Sequence, residues 1–390
     1  MKKLLILLLS VFAVVNLQGQ SLDEAFKAID GEQFEKARGI LEQLVKSNPD
    51  NGEYFFHLGT LYLTLGEDAL AKSTFQKGLG VKKAAHFNHI GMGQIALNEG
   101  RKDDAAAEFA KATAVRKKKD TQELLFIARA YLNAFNPDYA KAAEYAKQVI
   151  AINSSLAQGY LTLGDAELNL KNLNDAFMAY RNASSLDNTL LQALLRQAMI
   201  TKSTYAFPEA IQVINDVIAN NASFGPAYRE LAEIYYMWAI LDSSVYDENI
   251  KKALDYYKQY ISLTDTSLNS RMRHADFLVL AKDYASLEKE AAEMQKIDNV
   301  NPRILRYLGY SAFENGKYQD AIEALQKFIE VVEPYRVLLM DHIYIGRAKV
   351  RLLMANEDVA TIDPAKLAEV NDMIRLIVSD RKSTRLNSSH

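Results

Sequence analysis

The chain has 390 residues, no cysteine, 49% hydrophobic content, 24% charged residues and a net charge of −3. The lack of cysteine excludes a disulfide framework, a thiolate metal site and a thiol nucleophile, and the slightly acidic balance excludes the broad basic surface that nucleic acid requires. Seven prolines and seventeen glycines are too few for a many-turned β-sandwich, so an all-helical protein is expected.

The amino end, MKKLLILLLSVFAVVNLQGQS, joins two lysines to an apolar run from Leu4 to Val15, followed by a polar stretch containing Gly19. This is the three-part pattern of a secretory signal peptide, and the run is short for a bilayer span. Residues 1–19 are read as the signal, with Gln20 first in a mature form that has no transmembrane segment. The competing reading, an uncleaved anchor, lacks the basic residues that should follow it. No lipid-accepting cysteine follows either, so an exported protein is expected, in the periplasm or associated with the outer membrane.

Beyond the signal, small residues recur at a fixed interval. Ala37, Ala71, Ala105, Ala142, Ala176, Ala210, Ala253, Leu287 and Ala321 are separated by 34, 34, 37, 34, 34, 43, 34 and 34 residues. Gly59 maps to Gly93, Gly66 to Gly100 and Phe75 to Phe109 by the same step. Such a period is the signature of stacked helical units, each buried by its neighbours. In the second unit, FFHLGTLYLTLGEDALAKSTFQKGL, Phe55, Leu58, Gly59 and Tyr62 share one face of a first helix, and Ala71, Phe75 and Gly78 share one face of a second. Gly66 makes the turn between them. A helix-interior glycine costs ~1 kcal/mol relative to alanine, while each buried large side chain contributes roughly 1.5–3 kcal/mol. Gly59 and Ala71 are therefore read as a close helix crossing, with Phe55, Tyr62 and Phe75 filling the space around it.

These residues resemble the tetratricopeptide repeat, whose pattern of aromatic, Leu-Gly, Tyr, turn Gly, Ala and aromatic stands here as Phe55, Leu58-Gly59, Tyr62, Gly66, Ala71 and Phe75. Further copies are Tyr160, Leu163-Gly164, Ala176, Tyr180 and Ala183, and Leu305, Leu308-Gly309, Gly316, Tyr318, Ala321, Leu325 and Phe328; Pro49 closes the first unit. Leu287 departs from the expected small residue, and the tenth unit, around Gly346, is irregular. The resemblance implies an all-α, right-handed α-solenoid of about nine to ten helix pairs over residues 20–379. Pro208, Pro226, Pro302, Pro334 and Pro364 all fall near expected helix starts, where a missing N–H costs little. The excess at Ala239–Ile250 and the stretch Ala355–Pro364 are read as extended loops. The basic run Arg116–Lys119 lies between two expected helices, where it complements a helix macrodipole.

The carboxyl end, DRKSTRLNSSH, matches residue for residue the in-frame translation of a common sequencing adapter, so residues 380–390 are read as a non-native artefact tail and the solenoid as cut short near Ser379. Removing both ends takes away five basic residues (Lys2, Lys3, Arg381, Lys382, Arg385) and one acidic residue (Asp380), leaving the body at −7.

No phosphate loop, nucleophile elbow or zinc-protease motif is present, and His86 and His89, three residues apart, lack a third ligand. No metal, no cofactor and no catalytic residue are expected; the chain reads as a non-enzyme. His89 is expected to pack between helices in place of the repeat aromatic. The resemblance instead points to the concave face, lined by the first helix of each unit, as the place where protein partners bind. Its exposed stripe includes Phe56, His57 and Thr60 in the second unit. The favoured partner-binding residues are Arg229, Glu233 and Tyr236 in the seventh unit, Arg273 in the eighth, and Arg306, Tyr307, Tyr310 and Phe313 in the ninth, because tyrosine and arginine dominate interface hot spots. The competing reading packs these tyrosines between neighbouring first helices. The expected function is a non-catalytic protein-interaction scaffold of the bacterial envelope or secretion apparatus. Alternatives are an outer-surface glycan- or nutrient-binding protein, or the repeat region of a larger protein whose functional domain followed Ser379.

Overall fold

The computed structural model describes residues 21–265, 267–298 and 301–356, with the isolated positions 365 and 368. The signal, the Pro364 end of the second expected loop and the artefact tail lie outside these residues. Among the described residues there are nineteen α-helices and no strand. They pair as α1 (Leu22–Asp30) with α2 (Phe34–Ser47), α3 (Gly52–Thr64) with α4 (Asp68–Leu79), α5 (Phe87–Asn98) with α6 (Lys102–Thr113), and α7 (Gln122–Leu132) with α8 (Tyr139–Ile152). The series continues with α9 (Ala157–Asn169) and α10 (Leu173–Leu186), α11 (Leu191–Ser203) and α12 (Phe207–Asn220), then α13 (Gly225–Leu241) and α14 (Tyr246–Leu263). Last come α15 (Leu268–Leu280) and α16 (Tyr284–Ile297), α17 (Pro302–Glu314) and α18 (Tyr318–Val331), and α19 (Leu339–Asn356). The chain divides into two units: residues 1–227 with 263–265, and residues 228–262 with 266–390. No helix among the described residues is long and apolar enough to cross a membrane.

Small residues and left-handed turns set the period. All nine repeat positions, Ala37 through Ala321 with Leu287 among them, are fully buried. The turns within pairs carry a positive φ at Glu32 (57°), Gly66 (75°), Gly100 (76°), Lys171 (67°), Tyr205 (63°), Lys282 (55°) and Gly316 (81°). After most of these residues the next amide reaches back five residues, as in Glu67 N–H to Tyr62 O at 2.8 Å and Asn172 N–H to Glu167 O at 2.9 Å, which closes the helix end as a Schellman turn. The constant feature of the repeat is this backbone shape; glycine is only its least strained occupant.

The close crossing at Gly59 is occupied by a ring. A Cβ on Gly59 would stand closer than 3.0 Å to the Phe75 ring, and so would a Cβ on Gly91 from the next unit. The fully buried Phe75 therefore sits in a slot between two glycines of successive first helices. Gly93 and Phe109, Gly164 and Tyr180, and Gly309 and Leu325 repeat the arrangement with one glycine each. In the first unit of the chain, α3 contacts α5, α5 contacts α7, and α7 contacts α9, so these first helices form a continuous layer, while α2, α4, α6, α8 and α10 each also pack on the next first helix. In the second, α17 contacts α19 in the same way.

The Ala239–Ile250 stretch is not an extended loop. Its residues lengthen α13 to 17 and α14 to 18, against 13 and 14 in α9 and α10, and only the short 3₁₀ turn Ser243–Val245 separates them. The stretch holds neither glycine nor proline, so an insertion adds about one turn to each helix instead of breaking them. Pro208, Pro226, Pro302 and Pro334 all stand at the first or second position of a helix or 3₁₀ turn.

Candidate binding groove

In the unit formed by residues 1–227 and 263–265, the first helices α1, α3, α5, α7, α9 and α11 line a groove of about 910 Å³. Aromatic rings form one wall. Phe56 packs on Phe126 with centroids 4.9 Å apart and on Phe87 at 6.0 Å, while His57 meets Phe26 edge-on at 4.8 Å and Phe126 at 5.5 Å.

Charged groups form the floor. Arg129 on α7 donates to Gln158 Oε1 and, at 3.4 Å, to Thr162 Oγ1, both on α9. Among the described residues it has no carboxylate within ion-pair distance, and burial lowers its pKa against the opposing pull of Asp30 and Asp165 through space. Burial pushes the Asp30 carboxyl up to about 6, against the opposing pull of Arg129. Burial, with Arg129 adding repulsion, pushes His57 down to about 3, so its ring is neutral at physiological pH. Asp165 accepts from Tyr180 OH at 2.8 Å and pairs with Arg196 Nε at 3.2 Å. Gln192 ties α11 to α1 by donating to Asp30 O at 3.0 Å.

One end of this unit is closed by a long-range clasp. Gln33 Nε2 donates to Leu263 O at 3.1 Å, Asp265 N–H donates to Glu32 O at 3.0 Å, and Asp265 Oδ2 accepts from Glu35 N–H at 2.6 Å. The last bond caps α2, whose own N-cap residue Gln33 makes no side-chain cap.

The eight residues favoured from sequence lie in the other unit, and the structure strings them along α13, α15 and α17 as a ladder. Arg273 holds Glu233 with two bonds of 2.9 and 2.7 Å and stacks over Tyr236 at 5.1 Å. Arg229 lies over Tyr260 at 5.3 Å. Arg306 grips the fully buried Asp341 of α19 with two bonds of 2.9 Å, and Tyr310 OH donates to the same carboxylate at 2.8 Å. Tyr307 OH donates to Asp276 at 2.7 Å, and Phe313 is buried beneath Arg347, 4.6 Å from its ring. Tyr307, Tyr310 and Phe313 thus fill the packing between first helices, whereas Arg229, Glu233, Tyr236 and Arg273 keep part of their surface open.

Of the second-unit stripe, Phe56, His57 and Thr60 all line the groove. Asp30 and Arg129 escaped the sequence reading; the available signal was a single arginine inside the apolar run LLFIARAYL of α7. His89 does lie at the α5–α6 seam, held by Glu108 at 2.6 Å, and His86 meets Glu123 at 3.2 Å. Among the described residues no three metal-ligating side chains come together.

The tetratricopeptide-repeat family profile matches residues 22–80 and 285–331. No curated protein sequence matches the chain. Among solved structures the chain is similar to a tetratricopeptide repeat protein from Parabacteroides merdae (13% identity, 67% of this chain and 98% of that one, TM-score 0.45). It is also similar to PilW, a type IV pilus biogenesis factor (17%, 58% and 100%, 0.45), and to a thermophilic tetratricopeptide-repeat protein of Thermus thermophilus (20%, 50% and 100%, 0.41). With the helix pairs, buried small residues and glycine slots described above, residues 22–80 and 285–331 are tetratricopeptide repeats and the chain is an all-α solenoid of such helix pairs.

Proposed function

We propose that the protein is a non-catalytic scaffold exported to the bacterial envelope, where it holds an extended segment of a partner protein in the groove lined by α1, α3, α5, α7, α9 and α11. The observation that carries this reading is the groove itself: about 910 Å³, walled by aromatic rings and floored by polar groups, the combination that gives a partner both buried apolar area and orientation. In the other unit, the half-exposed Arg229, Glu233, Tyr236 and Arg273 are proposed as a second contact, with Arg306, Tyr307, Tyr310 and Phe313 holding the helices beneath it. Export is supported by the lysine-led apolar run at the amino end.

Photo-crosslinking in the native host tests this. A benzoylphenylalanine at Thr60 or Gln122, inside the groove, is expected to capture a discrete partner protein, and one at the exposed Met178 of α10 is not. Capture from Met178 alone would move the binding surface to the outside. Mass spectrometry of the captured scaffold is expected to find Gln20 at its amino end in an envelope fraction; a retained Met1 would refute processed export.

A further inference from the structure

The charges of the groove do not balance. Apart from Glu32, which has a partner of its own, its lining carries three carboxylates, Asp30, Glu53 and Asp165, against two guanidinium groups, Arg129 and Arg196. His57 adds no charge, because its ring is neutral. Asp165 is taken by Arg196 and the Tyr180 hydroxyl. Arg129 directs its hydrogen bonds to Gln158 and Thr162 and pairs with no carboxylate. Among the described residues the Glu53 carboxylate reaches only the neutral His57, at 4.0 Å. The Asp30 carboxylate has no hydrogen-bond or ion-pair partner among the described residues, although its own backbone oxygen is bonded by Gln192. A desolvated carboxylate without a donor is costly, and its raised pKa of about 6 records that cost.

The apolar surroundings fit a cation that enters with a long aliphatic stem. Asp30 and Phe26 are four residues apart on α1, and Glu53 and His57 four apart on α3, so each carboxylate shares a helix face with an aromatic ring. Phe26 and His57 touch edge to face at 4.8 Å, which joins the two faces into one patch, and Phe126 borders it from α7. Ring faces attract ammonium and guanidinium groups, more strongly where water is excluded, and a lysine or arginine stem covers apolar surface on the way in.

We propose that the groove recognises a basic side chain, lysine or arginine, of an extended partner segment, received by the carboxylates of Asp30 and Glu53 beside the rings of Phe26 and Phe126. This rests on the reading of the groove as the partner-binding surface. Among the described lining residues an acidic side chain would face the carboxylates of Asp30 and Glu53 with the single guanidinium of Arg129, which already acts on Asp30 through space, so the charge balance favours the basic one.

The test uses the full mature chain and three fluorescein-labelled twelve-residue peptides, identical except for a central lysine, norleucine or glutamate flanked by leucine and phenylalanine. Fluorescence anisotropy is expected to rank them lysine, norleucine, glutamate, with about tenfold between the first two at low salt. Asp30→Asn and Glu53→Gln, near-isosteric changes checked for unaltered helicity by circular dichroism, should each bring the lysine peptide towards norleucine and leave the norleucine peptide unmoved. Lowering the pH below about 6 should erode the same preference as Asp30 takes a proton. Equal binding of all three peptides, abolished by Thr60→Trp in the groove, would overturn the proposal and leave the groove reading standing, as would tightest binding of the glutamate peptide. Failure of every peptide to bind would overturn both.

Discussion

Alanine in place of glycine in a helix should gain ~1 kcal/mol wherever nothing opposes it. Gly39, exposed in the middle of α2, would place a new Cβ in open space. Gly39→Ala is therefore expected to stabilise by about 1 kcal/mol. Gly59→Ala carries the same propensity gain but drives its Cβ into the Phe75 ring, which is fully buried and backed by Gly91 on its other side. The ring cannot retreat without closing on α5, so the overpacking cost belongs at the upper end of the usual ~1–3 kcal/mol. After the gain is subtracted, a net loss of about 1–2 kcal/mol remains, and the two alanine variants should differ by about 2–3 kcal/mol. Urea titration followed by far-UV circular dichroism measures this, with the transition midpoint as the readout because repeat arrays unfold with limited cooperativity. Phe75→Leu should relieve part of the strain, so the double variant Gly59→Ala with Phe75→Leu should lose less than the two single losses added together. If Gly59→Ala stabilised the chain as much as Gly39→Ala, the slot between successive first helices would not exist and the packing argued here would be wrong.

Ala105, fully buried at a repeat position, should not accept a larger side chain: Ala105→Leu is expected to cost ~1–3 kcal/mol in the same titration, and an unchanged midpoint would refute the register. Asp341→Ala leaves the half-buried Arg306 guanidinium with the Arg336 carbonyl in place of its carboxylate and frees the Tyr310 hydroxyl; a loss at the lower end of about 3–5 kcal/mol is expected, and one below about 1 kcal/mol would show that the ladder contributes little. The pH dependence follows from two opposed groups beside Arg129. Folded Asp30 keeps a proton that the unfolded chain releases between 3.8 and about 6, so its contribution falls as pH rises through that window. Folded His57 refuses a proton that the unfolded chain takes up below 6.5, so its contribution falls as pH drops from 6.5 towards about 3. The two nearly cancel between pH about 4 and 6; Asp30→Asn should make the chain acid-sensitive there, and His57→Phe should make it more stable as pH falls, each by an amount on the order of 2 kcal/mol. Parallel pH profiles for the two variants would refute the assignment.

The solenoid was legible because its determinants are local and repeated: a small residue every thirty-four positions and apolar faces at helical spacing need no knowledge of distant contacts. Turns were less so. Glu32, Lys171, Tyr205 and Lys282 adopt the same left-handed conformation as Gly66, Gly100 and Gly316, and nothing in a lysine or tyrosine announces it; only the register does. The crossing at Gly59 was read as glycine against alanine, yet its occupant is an aromatic ring. A missing side chain records that something comes close without naming what. The groove was half legible, since Glu53, Phe56, His57 and Thr60 lie on one helix, but its other charges come from α1, α7, α9 and α11, and their meeting depends on how successive pairs are turned. Arginine and tyrosine on the inner stripe of the later repeats match a hot-spot composition, and an internal ladder uses the same residues for the same reason: long apolar bodies with polar tips. What separates the two is the position of the acids. Glu233 and Arg273, Asp276 and Arg303, and Arg306 and Asp341 are 40, 27 and 35 residues apart, each about one repeat length, so each of these three arginines finds a carboxylate on a neighbouring first helix. Asp30 has no such counterpart one repeat onward: position 64 is a threonine, and Arg129, which acts on Asp30 through space, gives its hydrogen bonds to Gln158 and Thr162. A carboxylate that the repeat leaves without a hydrogen-bonding cation is where an external partner has something to supply.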